Sequence, residues 1–364
     1  MIAITNSRFF RENELITDQT VLIKEGKIIE FTNGTIPDGY EIIDAAQDYL
    51  VPGFIELQIY GSGGNLFSAY PTVATLAQMD ADLLSKGTTS FLACVATNSP
   101  EVVKQSIEAA KEYRSQAKGF MGLHLEGPYL NVKKRGAHVA EYVKKATLEE
   151  VKSLLAQADG VIKIMTIAPE LQDDEVIQLL LDHDVVLSIG HSEATFEQAT
   201  AAYDKGITTT THLFNAMPSI HHREPSLPTA FFNHKSAMAS IIADGSHVNF
   251  EIIKMSHKLT KGRLFLITDA VTACNIGPYQ HQLLGDKFIT ADGTLSGSNI
   301  TLVEAVQNCV NHCEIALEDA LDMASSIPAK AIHQDQIKGK IAIGYNADLL
   351  LLSPELNLKR VFKF

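Results

Sequence analysis

The chain has 364 residues, 46% hydrophobic and 20% charged, with 30 Lys and Arg against 43 Asp and Glu for a net charge of −13. That composition excludes disordered, collagen-like and low-complexity states, and its acidity argues against nucleic acid as a partner. No apolar run approaches the ~18 residues of a membrane helix, no signal peptide is visible, and Cys94, Cys274, Cys309 and Cys313 are too few and too irregular for a disulfide framework. These features point to the cytoplasm.

In chain order, the first runs read as β: MIAITNSRFF, TVLIKEGKIIEF and EIIDAAQDYLVPGF, with turns at Glu25-Gly26 and Asn33-Gly34. Then eight strand candidates follow: FIELQIYG, TTSFLACVATN, FMGLHLEGP, VIKIMTIAPE, DVVLSIGHSE, ITTTTHLFNAM, AMASIIADGSH and RLFLITDA. Helical stretches fall between most of them. Leu76, Met79 and Leu83 follow the spacing of a buried stripe, and so do Val103, Ile107 and Ala110. The C-terminal GKIAIGYNADLLLLSPELNLKRVFKF returns to the β style. Apolar strands joined by helices mean a parallel sheet covered on both faces. Eight such units with polar residues at their C-terminal ends point to a (β/α)8 TIM-like barrel. A doubly wound sheet is the competitor, but the first strand lacks a GxGxxG turn.

Three strand ends carry metal-ligand chemistry. His124 and Glu126 share a face of the third strand, while His191 closes the fifth and His212 the sixth. Glu126, His191 and His212 make a carboxylate and two imidazoles, a catalytic zinc set with a fourth position left for water. One such histidine alone is more often an ordinary half-buried side chain. Three at barrel strand ends crowd a single mouth. Asp269 ends the eighth strand, where it either caps the next segment or exchanges protons with a metal-activated water.

The motifs PGFIELQIYG, GLHLEGPYLNVKKRGAH, IGHSEAT, THLFNAM, HREP, ADGSH and LITDA, in this order, resemble the amidohydrolase superfamily. Within it they are most similar to the group that deacetylates N-acetylglucosamine 6-phosphate. The resemblance runs from about residue 50 to GYNADLLLLS. It implies a metal-dependent barrel over residues 52–334 and a small β-sandwich from residues 1–51 and 335–364. It also implies metal ligation by Glu126, His191 and His212, and acid/base work by Asp269. His138 would polarise the acetyl carbonyl. Asn215, the Ala216 amide, His247 and Arg223 would hold the sugar phosphate, with Arg223 reaching across from a partner subunit of a homodimer. The superfamily's first strand usually ends His-x-His and holds a second metal, whereas this chain reads Gln58-Ile59-Tyr60. One divalent ion per subunit, zinc by its ligands, is therefore expected. Gln58 either touches substrate or fills the barrel layer, and Tyr60 has no assigned role.

Other features carry less. Gly61-Ser62-Gly63-Gly64 lacks the Lys of a P-loop and reads as a flexible active-site loop. Cys309 and Cys313, four apart, read as a buried helix face. Lys133 and Lys134 read as a solvated loop, and His221-His222 as either plain loop or a flank of the phosphate pocket. The expected function is deacetylation of N-acetylglucosamine 6-phosphate. The rivals are a sibling hydrolase of N-acetylgalactosamine 6-phosphate or another N-acyl substrate, and a non-catalytic sugar-phosphate binder.

Overall fold

The eight apolar runs form the parallel strands of one closed sheet in the computed structural model, which describes residues 1–285, 287–291 and 293–364. The strands are Phe54–Ile59, Thr88–Ala96, Phe120–Glu126, Ile162–Ile167, Val186–Ile189, Thr209–Thr210, Met238–Ile242 and Leu264–Ile267, each paired with its neighbours in chain order. The ring closes where the Asp269 N–H donates to the Gln58 carbonyl at 3.0 Å and the Tyr60 N–H to the Ala270 carbonyl at 2.9 Å. In that seam, buried Glu56 accepts the Gln58 and Thr268 backbone N–H groups, each at 2.9 Å. Burial pushes its carboxyl up to about 7. The architecture is a (β/α)8 barrel.

Period-2 alternation sorts the strand residues. Leu123 and Leu125 face the outer helices, while His124 and Glu126 project inward. The outer helices close over the strands by their apolar stripes. In Val73–Ser85, Leu76 and Met79 are fully buried and Leu83 nearly so, each contributing about 1.5–3 kcal/mol. In Pro100–Tyr113, Ile107 and Ala110 are buried and Val103 is partly so, with Ser99 capping the first turn and Pro100 just inside it.

Inside the barrel, Ile55, Leu57, Leu92, Ile164 and Phe265 make an apolar floor. A polar layer lies above it. His124 donates through Nδ1 to the Leu57 carbonyl at 2.9 Å and accepts through Nε2 from the Thr166 hydroxyl at 2.8 Å. Thr166, Thr211 and Ser188 continue the chain at 2.7 and 2.6 Å. Desolvation depresses the imidazole of His124 to about 4, so it stays neutral. A shift of register between the first two strands lets Leu57 join the floor while Gln58 and Tyr60 both reach into the mouth above.

Both chain ends build the second β layer. One sheet runs Lys27–Thr32, Thr20–Lys24, Ile2–Thr5 and Glu41–Asp44; the other runs Leu358–Phe362, Leu349–Leu352 and Tyr49–Pro52. Ile4, Val21, Ile23, Leu50, Leu349 and Phe362 are among the buried side chains shared between them. The Glu25-Gly26 turn has φ of 51° and 72°, the left-handed pair that suits a two-residue hairpin.

Three expectations change. The sixth strand is far shorter than ITTTTHLFNAM, because His212, Phe214 and Ala216 take φ of 30°, 78° and 51° and carry the chain off the sheet. Gly61–Gly64 is not an active-site loop. Gly61–Ser62 and Asn65–Leu66 pair across a tight turn, which is held to Asp82 by the Ser62 hydroxyl and by the Gly63 N–H at 2.9 Å. The segment lines a different cleft, on the helix side of the first strand. Cys309 and Cys313 are both fully buried, as expected, although Cys313 lies just past the helix Leu302–Asn311. No described helix is long and apolar enough to cross a membrane.

Candidate active site

At the C-terminal mouth of the barrel, the ends of the third, fifth and sixth strands bring Glu126, His191 and His212 together. One ligand atom from each falls within 4.8 Å of the others, and all three residues are buried. Glu126 Oε1 lies 3.2 Å from His191 Nε2 and 3.0 Å from His212 Nε2, and the two imidazole nitrogens are 3.1 Å apart. The His191 ring is oriented from behind: its Nδ1–H donates to the Lys134 carbonyl at 2.8 Å, which leaves the Nε2 lone pair facing the cluster. The KKR segment thus matters here through its backbone. Lys133 and Lys134 themselves lie 3.7 and 3.6 Å from Glu193, as a solvated loop would. His212 Nδ1 finds no partner among the described residues.

This donor set fits a divalent metal. One carboxylate oxygen and an oriented imidazole nitrogen converge with a second imidazole nitrogen, matching the usual carboxylate and nitrogen chemistry of zinc with room left for water. The charges agree. Despite burial, which alone would raise it, Glu126 is held well below the usual carboxylate range by His191 and His138.

The first strand supplies two more contacts. Gln58 Nε2 lies 3.0 Å from Glu126 Oε1, 2.7 Å from Asp269 Oδ1 and 3.1 Å from the Tyr60 oxygen, while the Tyr60 hydroxyl donates to Glu126 Oε2. Gln58 therefore bonds to other side chains of the site. Burial above all pushes the Tyr60 phenol well above its ordinary range, so it remains a donor. Asp269 is also raised, by burial and by the nearby Glu126 and Glu56 charges, against the opposing pull of His212.

His138 reaches the same centre from the loop after the third strand. The Thr97 N–H donates to its Nδ1 at 3.3 Å, so Nε2 carries the proton and donates to Glu126 Oε2 at 3.0 Å. Tyr279 braces it. Its ring stands edge-on 6.4 Å from the imidazole, and its hydroxyl is anchored on the Thr97 carbonyl. Gly127 makes this corner possible: with φ of 87° it sits where a Cβ would collide with the Thr97 hydroxyl, which caps the Glu126 carbonyl at 3.0 Å.

The cluster opens into a cavity of about 210 Å³ lined also by Asn215, Ala216, His247, Tyr279 and His281. His247 donates through Nδ1 to Asp244 at 2.6 Å, and Asp244 accepts two backbone N–H groups as well, each at 2.8 Å. These bonds hold the Asp244 carboxyl below its ordinary range even though burial opposes them. His281 bonds Ser296 at 2.9 Å and is depressed to about 4 by burial, a neutral polar wall. Arg223 does not line the cavity. It lies exposed, 2.8 Å from His222 Nε2, and His221 and His222 stay on the same surface loop.

The structure thus gathers Glu126, His191, His212, Asp269, His138, Asn215, Ala216 and His247, and leaves Arg223 outside this chain's own pocket. Sequence reasoning missed Asp244 and Tyr279. The first was signalled by its place three residues before His247 in ADGSH; the second carried no signal. His191, His212 and Asp269 share a backbone trait, left-handed φ of 48°, 30° and 54°. Each leaves its strand by an abrupt turn that tips the side chain into the mouth, and such conformations concentrate at functional sites.

Residues 49–363 match the Amidohydrolase family. The chain is 33% identical over 365 residues to the N-acetylglucosamine-6-phosphate deacetylase of Haemophilus influenzae, covering 97% of this chain and 95% of that one. It is 33% identical over 323 residues to an N-acetylgalactosamine-6-phosphate deacetylase of a Shewanella strain, covering 86% and 81%. A mutant N-acetyl-D-glucosamine-6-phosphate deacetylase of Mycobacterium smegmatis, solved in complex with N-acetyl-D-glucosamine-6-phosphate, superposes with a TM-score of 0.91. Its identity is 30%, over 99% of this chain and 97% of that one.

Proposed function

The chain belongs to the amidohydrolase family, and from that premise we propose that it hydrolyses the acetamide of N-acetylglucosamine 6-phosphate to acetate and glucosamine 6-phosphate. One observation carries the reading: a buried carboxylate and two imidazoles converge at the barrel mouth, with Asp269 tethered beside them through Gln58. Glu126, His191 and His212 would hold one divalent metal, zinc by ligand type, which supplies Lewis acidity toward water and the acetyl carbonyl. Asp269 takes the proton of the attacking water. The His138 Nε2–H, which faces Glu126 in this structure, turns to the carbonyl oxygen as negative charge develops there. Asp269 then delivers the proton to the departing nitrogen. Asn215, the Ala216 amide and His247 orient the sugar phosphate, and the Asp244 carboxylate fixes the His247 ring. The enzyme works in the cytoplasm.

Release of free amine from a substrate panel tests the assignment. The 6-phosphate of N-acetylglucosamine should be deacetylated far faster than unphosphorylated N-acetylglucosamine. Chelation should abolish the activity and zinc restore it, with about one equivalent of metal per chain by elemental analysis. No deacetylation by metal-replete protein would overturn the proposal. Faster turnover of N-acetylgalactosamine 6-phosphate would move it to the epimer, the second reading that the Shewanella relative favours.

Arg223 completes the phosphate site from the neighbouring subunit of a homodimer. Its exposure outside its own chain's cavity supports this, and so does the need for a concentrated cation in a chain of net charge −13. A guanidinium grips phosphate with two parallel bonds. Losing one charge-assisted contact costs roughly 1.5–3 kcal/mol, about ten- to a hundredfold in kcat/KM. Arg223→Ala should show that loss on the phosphorylated substrate and barely alter the poor unphosphorylated one. Mixed with Asp269→Asn under subunit exchange, it should regain up to half of wild-type activity per heterodimer, because one of the two sites then carries neither lesion. No regain, with exchange verified, would assign the arginine to its own chain's site.

A further inference from the structure

The two oxygens of Glu126 keep different company. Oε1 faces His191 Nε2, His212 Nε2 and Gln58 Nε2 at 3.2, 3.0 and 3.0 Å, which makes it the atom offered to a metal. Oε2 receives the Tyr60 hydroxyl and His138 Nε2–H, the latter at 3.0 Å. The terminal torsion of a glutamate is broad and soft, so an unheld carboxylate would swing between one- and two-oxygen binding. His138 cannot hold it throughout, because the proposed reaction draws its N–H to the substrate carbonyl. Tyr60 can. The residue is only 9% exposed and packs in a cluster with Leu66, Cys94, Ala96 and Val271, its oxygen lies 3.1 Å from Gln58 Nε2, and its backbone is fixed to Ala270 across the barrel seam.

We infer that Tyr60 is a positioning residue for the metal: its hydroxyl pins Glu126 Oε2 so that Oε1 alone, in one orientation, is presented to the ion. The inference rests on the metal site proposed above. Groups that orient a ligand in this way typically contribute ~10–100-fold in metal affinity.

Tyr60→Phe removes the hydroxyl and keeps the ring. Zinc affinity by chelator competition should fall by ~10–100-fold. The metal-free protein should melt close to wild type, and the rise in melting temperature that a fixed zinc concentration produces should shrink, since that rise follows the dissociation constant. Excess zinc should restore kcat, with KM unchanged. Equal zinc affinity in wild type and variant would overturn the role of Tyr60 while leaving the metal site standing. Equal losses of melting temperature with and without zinc would do the same, marking Tyr60 as structural. Wild-type protein that binds no zinc would overturn both the site and this inference. Should the Phe variant fail to fold, Tyr60→Met, a flexible apolar filler of the same space, is read by the same criteria.

Discussion

Asp269→Asn is expected to fold, to bind zinc as wild type does, and to lose ~10²–10⁴-fold in kcat. The structure explains why the loss should be confined to turnover. Gln58 Nε2 meets Asp269 Oδ1 at 2.7 Å and the Asp269 backbone is tied to Gln58 and Ser298, each at 3.0 Å. An amide oxygen can keep the same bond from Gln58, so the side chain stays in place. What the amide cannot do is take a proton from water or return one to the leaving nitrogen. KM should change little, because the carboxylate acts on the reacting groups and not on the sugar phosphate. The measurement is steady-state kinetics on protein whose zinc content has been determined. A kcat near that of wild type at full occupancy would remove Asp269 from the proton-transfer role.

His138→Ala is expected to lose ~10²–10³-fold in kcat, the usual effect of deleting one donor to a developing oxyanion. The imidazole is fixed by the Thr97 N–H at 3.3 Å and by the edge of Tyr279, which leaves one proton, on Nε2, directed into the mouth. That N–H serves the carbonyl most strongly once the oxygen carries charge, so the loss should fall on kcat. The variant leaves the Thr97 N–H unpaired in a buried place, at a cost of about 1–3 kcal/mol in stability. Kinetics below the new melting range separate this from the catalytic effect. Unchanged kcat with reduced stability would make His138 a support of the loop.

Much of this was legible in the chain. Barrel strands are continuous apolar runs that end where the mouth begins, so a Glu or His at such an end is placed by the fold class alone. Glu126, His191, His212 and Asp269 were found that way. The sixth strand was overestimated because Thr-rich β propensity does not reveal where backbone torsions leave the sheet; His212, Phe214 and Ala216 end it through left-handed φ. Gly61–Gly64 suggested mobility by composition, yet Asp82 on a later helix anchors it. Tyr60 and Tyr279 meet their partners across long stretches of chain rather than through a motif. Tyr60 and Glu126 are 66 positions apart, and Tyr279 and Thr97 are 182 apart. No local pattern carries such pairings.

The left-handed turns at His191, His212 and Asp269 also bear on how this protein can be altered. Histidine and aspartate enter that region more readily than most side chains, but only glycine does so freely. Each position therefore stores roughly 1 kcal/mol or more that only glycine would relieve. A collection of variants screened for heat resistance in the absence of metal would relieve that strain with glycine at His191 or His212 only by opening a cavity beside Glu126 and erasing the chemistry. Screens that demand turnover alongside survival would instead leave these turns alone and find their improvements on the outer helices and in the terminal sheets, where the chain is free to choose for folding only.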